Sequence, residues 1–293
     1  MKVSVIITTC NREPEYLKKA IDSVFAQTYK NIEIIVVNDA PGYVKQLEIE
    51  ELINSYKRGI KYYINSEQMG ANYSRNYGVS KSSGDILSFL DDDDYWDSNR
   101  IALMVNRFKE GYDILYSDFY IFSDKGKKYS KRDYPPIEDQ LSSILAYNYL
   151  GGFSNVAFTR SLFESVHGLD ETMPSYQDQD LFVRLIQNGS LSYIPKPLSY
   201  YRIMPNSISL NNKKKIDGLE AFLVKYKDLY EKFPDSLVFR LESELVYAKK
   251  QGWEDNAKTI ASYLLAYESK SKIRLLSLKG KLKYIAVKYL GLQ

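Results

Sequence analysis

Asp91, Asp92, Asp93 and Asp94 stand side by side directly after the apolar run Ile86 to Leu90. Adjacent carboxylates repel and raise one another's pKa, so such a quartet is either a solvated acidic loop or a place where a cation is held. Hard divalent ions take oxygen ligands, and Mg²⁺ or Mn²⁺ binds through one or two carboxylates together with phosphates of a substrate. The quartet therefore points to a metal and a phosphate-bearing ligand together. A second acidic group lies in "YQDQDLFVRL", where Asp178 and Asp180 are placed either to take a proton or to cap the N-terminus of a helix. The single histidine, His167, removes His-based triads and zinc sites, and in "VHGLD" it reads as a helix C-terminal cap. The single cysteine, Cys10, excludes a disulfide framework and suits a reducing compartment. Carboxylate chemistry is what remains.

The elements that must position these groups alternate. Strands are expected at Val3 to Thr8, Ile32 to Asn38, Ile60 to Asn65, Ile86 to Leu90 and Ile114 to Phe122, with helices at Pro14 to Ala26, Val44 to Tyr56, Ala71 to Ser80 and Asn99 to Lys109. Repeated β-α-β order predicts an α/β fold with a mostly parallel sheet flanked by helices. In such sheets ligands bind at the carboxyl edge, where the quartet falls. From 123 to 150 the sequence is polar, with Pro135 and Pro136. A second block holds a short strand in "NVAFTR", a helix at Gln179 to Asn188 and a strand in "LSYIPKPLSYYRI", and from about 211 the pattern is helical. Neither a G-x-G-x-x-G nor a G-x-x-x-x-G-K-[ST] segment occurs, so dinucleotide and P-loop chemistry are unsupported. Asp39, at the end of the second strand, either begins a turn or accepts the imide N–H of a uracil ring.

The net charge of +3 belongs to one segment. Residues 270–293 carry seven basic residues and no acidic one, and removing those seven from the 40 Lys and Arg leaves 33 against 37 Asp and Glu. A body of negative balance argues against nucleic acid as a partner. In the same segment Leu275, Leu278, Leu282, Ile285, Tyr289 and Leu292 form one helical stripe flanked by lysines, the pattern of a helix lying on an anionic membrane surface or packed on protein. No stretch approaches the roughly 20 apolar residues of a membrane span. A cytoplasmic protein, peripheral at the inner face of the cell membrane, is the expectation. The 27 tyrosines suit carbohydrate-facing surfaces.

The segments "SVIITTCNR", "VVNDA", "GANYSRNYGVSKSSGDILSFLDDDD" and "YQDQDLFVRL" occur in the order seen in inverting family 2 glycosyltransferases of the GT-A fold, and residues 1–205 resemble that family, in particular members that build bacterial surface polysaccharides such as capsule. The resemblance implies that Thr8, Asn11 and Arg12 line a nucleotide pocket, that Asp39 reads uracil and that Arg75 faces the base or diphosphate of a UDP-sugar. Asp91 and Asp93 fall on the two aspartates of the family's D-x-D element, with Asp92 on its variable position and Asp94 just after it. Asp93 would hold Mn²⁺ or Mg²⁺ against the diphosphate, and Asp91 would lie near the ribose or donor sugar. Asp178 would be the base that deprotonates the acceptor hydroxyl, with Asp180 a second candidate. Gly151 and Gly152 would let backbone approach an acceptor sugar, and Trp96 could stack on one.

Three positions depart from the family pattern. Gln177 stands where a Glu is usual, Cys10 where an aromatic is usual and Asn38 where an Asp is usual. The implied activity is metal-dependent transfer of a sugar from a UDP-sugar to a saccharide acceptor, expected to be lipid-linked. A catalytically inactive nucleotide- or glycan-binding module is the alternative that Gln177 favours. A nucleotidyltransferase would need a Gly-rich basic opening loop, which is absent. The expected organisation is a nucleotide-sugar part at 1–122, an acceptor part of the same domain at 123–210 and a helical extension at 211–293.

Overall fold

The computed structural model describes residues 1–57, 59–123, 126–203, 212–268, 272–273 and 275–279. The stripe expected in 270–293 lies mostly outside the described residues. The chain divides into two units, one of Met1–Tyr134, Tyr149–Thr172 and Gln177–Pro205, the other of Pro135–Asn148, Met173–Tyr176 and Asn206–Gln293.

The first unit holds the strands β1 (Val3–Thr9), β2 (Ile32–Asn38), β3 (Ile60–Ile64), β4 (Ile86–Asp91), β5 (Tyr95–Trp96), β6 (Ile114–Ser123), β7 (Gly126–Ser130), β8 (Ala157–Thr159) and β9 (Leu191–Arg202). Its helices are α1 (Pro14–Phe25), α2 (Gln46–Ser55), α3 (Ala71–Ser80) and α4 (Arg100–Lys109), then α6 (Arg160–Ser165) and α7 (Gln177–Asn188) after α5 (Gln140–Ala146) of the second unit. Among the described residues the strands form one sheet in the order β3-β2-β1-β4-β8-β6-β9-β5, with β7 on β6. Pairing is parallel through β3-β2-β1-β4 and between β6 and β9, and antiparallel where β8, β5 and β7 join. Sequence periodicity locates the parallel half within one or two residues. It does not reveal β5, two residues long, or β7, whose "GKKYS" carries no apolar alternation.

Alternation along the strands makes two cores. Val3, Val5, Ile7, Ile34, Val36 and Leu90 pack against α1, α2 and α4. On the opposite face of β4, Phe89 meets Phe153, Phe158 and Phe163 edge-to-face at 5.5 to 6.0 Å. Helix α3 lies tight on β1, because a Cβ at Gly78 would stand 2.5 Å from Ile6 Cγ2. Arg100 is fully buried with its guanidinium 4.0 Å from the Trp96 ring and donating to Ser88 Oγ at 3.0 Å. Burial lowers its pKa to about 9.

At the amino edge of the sheet Glu33 ties three strands together. It accepts from Ser4 Oγ at 2.7 Å and from Ser83 N–H at 2.5 Å, and pairs with Lys2 at 2.9 Å and Lys61 at 3.1 Å. Burial by itself would raise its pKa, but those donors hold it well below the usual carboxylate range. Helix α7 is locked by Asp180, fully buried against Arg184 at 2.7 Å, while Arg184 also donates to the carbonyls of Val166 and Gly168 at the end of α6. His167 and Gly168 there take positive φ, the left-handed cap expected for that segment.

The second unit is helical: α5, α8 (Asn212–Lys225), α9 (Lys227–Lys232), α10 (Pro234–Gln251) and α11 (Glu254–Leu264). Leu219, Leu241, Leu245, Ala248, Ala257, Ile260 and Leu264 form its core, and Trp253 packs edge-on against Tyr247 at 5.6 Å. Arg240 and Tyr230 both donate to the carbonyl of Leu145. No helix among the described residues is long and apolar enough to cross a membrane.

Two stability measurements check these locks. Glu33→Gln should lower unfolding free energy at neutral pH by about 1–3 kcal/mol, because charge-assisted hydrogen bonds are lost. Since the folded pKa lies below the unfolded value, this stabilisation is present above about pH 4 and vanishes as pH falls, so the two proteins should converge in acid. Equal stabilities at pH 7 would refute the clamp. Asp180→Asn should cost about 1–3 kcal/mol by removing the charged acceptor of Arg184; a change within experimental error in denaturant melts would contradict the lock.

Candidate active site

The quartet is a turn. Asp94 N–H donates to Asp91 C=O at 3.1 Å, so the chain reverses between β4 and β5 over four carboxylates. Asp91 ends β4 on the Phe89 face, where Arg75 of α3 meets its Oδ1 at 2.6 Å with the guanidinium 4.3 Å from the Phe153 ring. Arg12, from the β1–α1 turn, bridges the next two, at 3.1 Å from Asp92 and 3.2 Å from Asp93. Asp94 Oδ1 accepts from Arg202 N–H at 2.9 Å, and Arg202 Nε donates to Asp93 C=O at 3.3 Å. Ser154 fixes the turn from below, its Oγ accepting from Asp91 N–H at 3.0 Å and its carbonyl from Trp96 Nε1 at 2.7 Å.

This arrangement leaves the turn short of positive charge. Burial pushes Asp92 up to about 7 against the opposing pull of Arg12. Asp93 is raised by burial and then by Asp91, and Asp94, almost fully enclosed, is raised well above its ordinary value by burial and then by Asp91 and Asp93. Two unit charges 4 Å apart at a protein surface interact by about 4 kcal/mol, which makes a second cation a strong gain for ionised neighbours of this kind. One oxygen, Asp94 Oδ2, is buried with no hydrogen-bond partner. Among the described residues no three Asp, Glu, His or Cys side chains converge as a closed metal cage. The donor set is thus one or two partly open carboxylates, Asp93 and Asp91, and it fits a hard divalent ion that completes its shell with phosphate and water.

On the nucleotide side Thr8 faces Asp91 in the β1–β4 register, and Asn11 is exposed at φ 49°. Asp39 is 4% exposed. Its Oδ1 accepts from Asn65 Nδ2 at 2.7 Å and Met69 N–H at 2.8 Å, and its Oδ2 from Gly70 N–H at 2.9 Å, so it holds the turn into α3. Gly70 supplies the φ of 95° that this turn needs. The Cys10 thiol donates to Asp39 C=O at 3.6 Å and accepts from Gln68 at 3.2 Å, while Asn38 Oδ1 accepts from Ala40 N–H.

Asp178 is half-buried in the first turn of α7, with Gln177 beside it and Gln179 N–H donating to its Oδ1 at 2.8 Å. Burial raises the pKa of Tyr201, next to last on β9, and the negative charges of Asp94, Asp91, Asp93 and Asp178 raise it further. Asp180 is turned into the ion pair with Arg184, away from this group. Trp96 is 4% exposed and covered by Arg100, so stacking on a sugar would require it to leave the core. Gly151, at φ 95°, would bring a Cβ 2.9 Å from the Phe119 ring, whereas Gly152 has open space within 4 Å. Sequence reasoning misses Tyr201, Arg202 and Ser154. The "YYR" that ends the last strand is the available signal, since it must reach the same carboxyl edge as the quartet.

Residues 4–167 match the model of glycosyl transferase family 2. The chain is 32% identical over 286 residues to the GalNAc(5)-diNAcBac-PP-undecaprenol beta-1,3-glucosyltransferase of Campylobacter jejuni, covering 92% of this chain and 83% of that one. It is also 32% identical over 198 residues to an uncharacterized glycosyltransferase of Rickettsia bellii, where 65% of this chain matches and it spans only 28% of the relative's length. The crystal structure of Staphylococcus aureus TarS 1-349 in complex with UDP-GlcNAc shares the fold at a TM-score of 0.69 and 17% identity, over 97% of this chain and 88% of that one. The family model covers more than half of the chain, and the sheet that it spans carries the aspartate turn at its carboxyl edge: the chain belongs to glycosyl transferase family 2.

Proposed function

We propose that the protein transfers a hexose or N-acetylhexosamine from a UDP-sugar to a hydroxyl of a saccharide acceptor, with inversion at the anomeric carbon. The observation that carries this reading is the aspartate turn at the carboxyl edge of a family 2 domain, with Arg75 on Asp91 and Arg12 on Asp92 and Asp93. Thr8, Asn11, Arg12, Asp39 and Arg75 form the donor side, with Asp39 shaping the base pocket through the turn that it holds. Asp93, with Asp91 beside it, would hold Mn²⁺ or Mg²⁺, which when bound neutralises the leaving diphosphate. Arg12 and Arg75 place further positive charge at the turn and orient its carboxylates. Asp178 takes the acceptor hydroxyl proton as the new bond to the anomeric carbon forms and the bond to the diphosphate oxygen breaks, releasing UDP.

A lipid-linked acceptor is favoured by the Campylobacter relative, whose name specifies a saccharide joined to undecaprenol through a diphosphate. The product would then be a surface polysaccharide such as capsule, built at the inner face of the cell membrane. Residues 1–122 would bind the nucleotide sugar, 123–210 would shape the acceptor site and 211–293 would be a helical extension whose basic end meets the membrane. Gln177, in place of an acid beside the base, favours the second reading of a binding module without turnover.

Metal-dependent release of UDP from a panel of nucleotide sugars, given saccharide diphosphate lipids as acceptors, separates the two. Asp178→Asn keeps size and the helix cap, so UDP binding should persist while turnover falls about 10²–10⁴-fold; turnover near the wild-type rate would remove Asp178 as the base. In calorimetry with Mn²⁺, Asp93→Ala should bind UDP no better than the wild type does in EDTA, whereas Asp92→Asn should retain metal-dependent binding. Equal losses from both changes would point to a generic acidic patch.

A further inference from the structure

Burial of Trp96 removes the aromatic that the sequence offers to a sugar near the quartet. Tyr201 stands one residue before Arg202, whose backbone N–H holds Asp94, and it is 37% exposed. Among the described residues of the first unit, Tyr129 and Tyr134 are the other aromatic side chains more than a third exposed. The first is tied through its hydroxyl to Asp118 and the second stacks on Tyr193.

Side-chain alternation along β9 decides what Tyr201 faces. Tyr200 and Arg202 point to one side, where Tyr200 stacks on Tyr95 and the Arg202 guanidinium lies 4.4 Å from the Phe122 ring. Tyr201 points to the other with Ser199, which donates to Ser154 C=O and Asn155 Oδ1 at 3.2 Å, so the segment 151–155 lies on the Tyr201 side. Phe119, paired with Ser199, is there too, its ring 6.3 Å from that of Tyr201. A Cβ at Gly151 would stand 2.9 Å from the Phe119 ring, and one at Gly152 would meet nothing within 4 Å. Gly152 has φ −80°, so a side chain could fill that space without backbone strain, and none does. A ring that serves the core is covered, as Phe119 is at 7% exposed. Tyr201 stays open, and the charges of Asp94, Asp91, Asp93 and Asp178 all reach it, so it lies within electrostatic range of both the aspartate turn and the proposed base.

We propose that Tyr201 is an acceptor-binding residue: the open face of its ring carries the C–H face of a pyranose, Gly151 and Gly152 leave room for that sugar, and the contact holds the acceptor beside Asp178. The face of an aromatic ring is electron-rich, and a pyranose presents polarised C–H groups on one side with hydroxyls around its rim. Stacking therefore fixes the plane of the sugar while a hydroxyl stays free to meet a base. The inference rests on the saccharide-acceptor reading given above and names the residue that orients this substrate.

Saturation-transfer NMR titrations of the full-length protein, with UDP and Mn²⁺ present, test it against the methyl glycosides of glucose, galactose, N-acetylglucosamine and N-acetylgalactosamine. At least one of these should bind, with saturation reaching its ring C–H protons. Tyr201→Leu should raise that dissociation constant about tenfold, the scale of one favourable aromatic contact, while Tyr201→Phe, which keeps the ring, should hold it near the wild-type value. Calorimetry of UDP with Mn²⁺ should give the Leu variant the wild-type affinity, which reports an intact fold and donor side. Wild-type saccharide affinity in Tyr201→Leu overturns the inference. So does a Phe variant as weak as the Leu one, which would assign the contact to the hydroxyl, and so does loss of UDP affinity in Tyr201→Leu or failure of the wild type to bind any of the glycosides. A wild type that binds saccharide yet releases UDP from no nucleotide sugar would remove the transfer reading and leave the Tyr201 contact standing.

Discussion

Four carboxylates cannot share one tight turn in a partly closed site unless positive charge is brought to them from several directions. Arg12 comes from the loop after β1, Arg75 from α3 and Arg202 from the end of β9, so three separately placed elements converge on residues 91–94. Arg75 meets Asp91, Arg12 bridges Asp92 and Asp93, and Arg202 gives its backbone N–H to Asp94 and its Nε to the Asp93 carbonyl. Burial, and then mutual repulsion, keeps the pKa values of Asp92, Asp93 and Asp94 raised despite these arginines. A site with this imbalance is prepared for a ligand that arrives with a divalent cation, and a neutral ligand would not relieve it.

The sheet divides the work of building such a turn. Its parallel half, β3-β2-β1-β4, brings the ends of four strands to one edge, where the proposed donor side lies. The short antiparallel strands then close the site from the other side. β8 follows directly on the segment that supplies Ser154, and β5 fixes the exit of the turn by pairing Tyr95 and Trp96 with β9. Glu33, at the opposite edge, contributes rigidity where no ligand is expected.

The order of motifs along the parallel half was legible because strand periodicity and edge position follow from local pattern. The roles assigned to Asp91, Asp93 and Asp178 came only through the family resemblance, since nothing local relates α7 to β4. Burial was not legible. Asp39 read as a turn former or a base contact and Asp180 as a cap or second base; the first holds the turn into α3 and the second an arginine, through partners at positions that pattern does not connect. Trp96 read as a surface aromatic because β5 is too short to show alternation.

β9 is the last strand of the sheet to leave the ribosome, and its pairing with β6 bridges residues 114 and 191, a long loop to close before any contact rewards it. Until it is in place the turn after β4 lacks the Arg202 donors. The earlier half of the sheet can assemble during synthesis while its acidic turn stays hydrated and repulsive. On the proposed reading, the donor side would be complete only after β9 has paired with β6, when most of the first unit has been made.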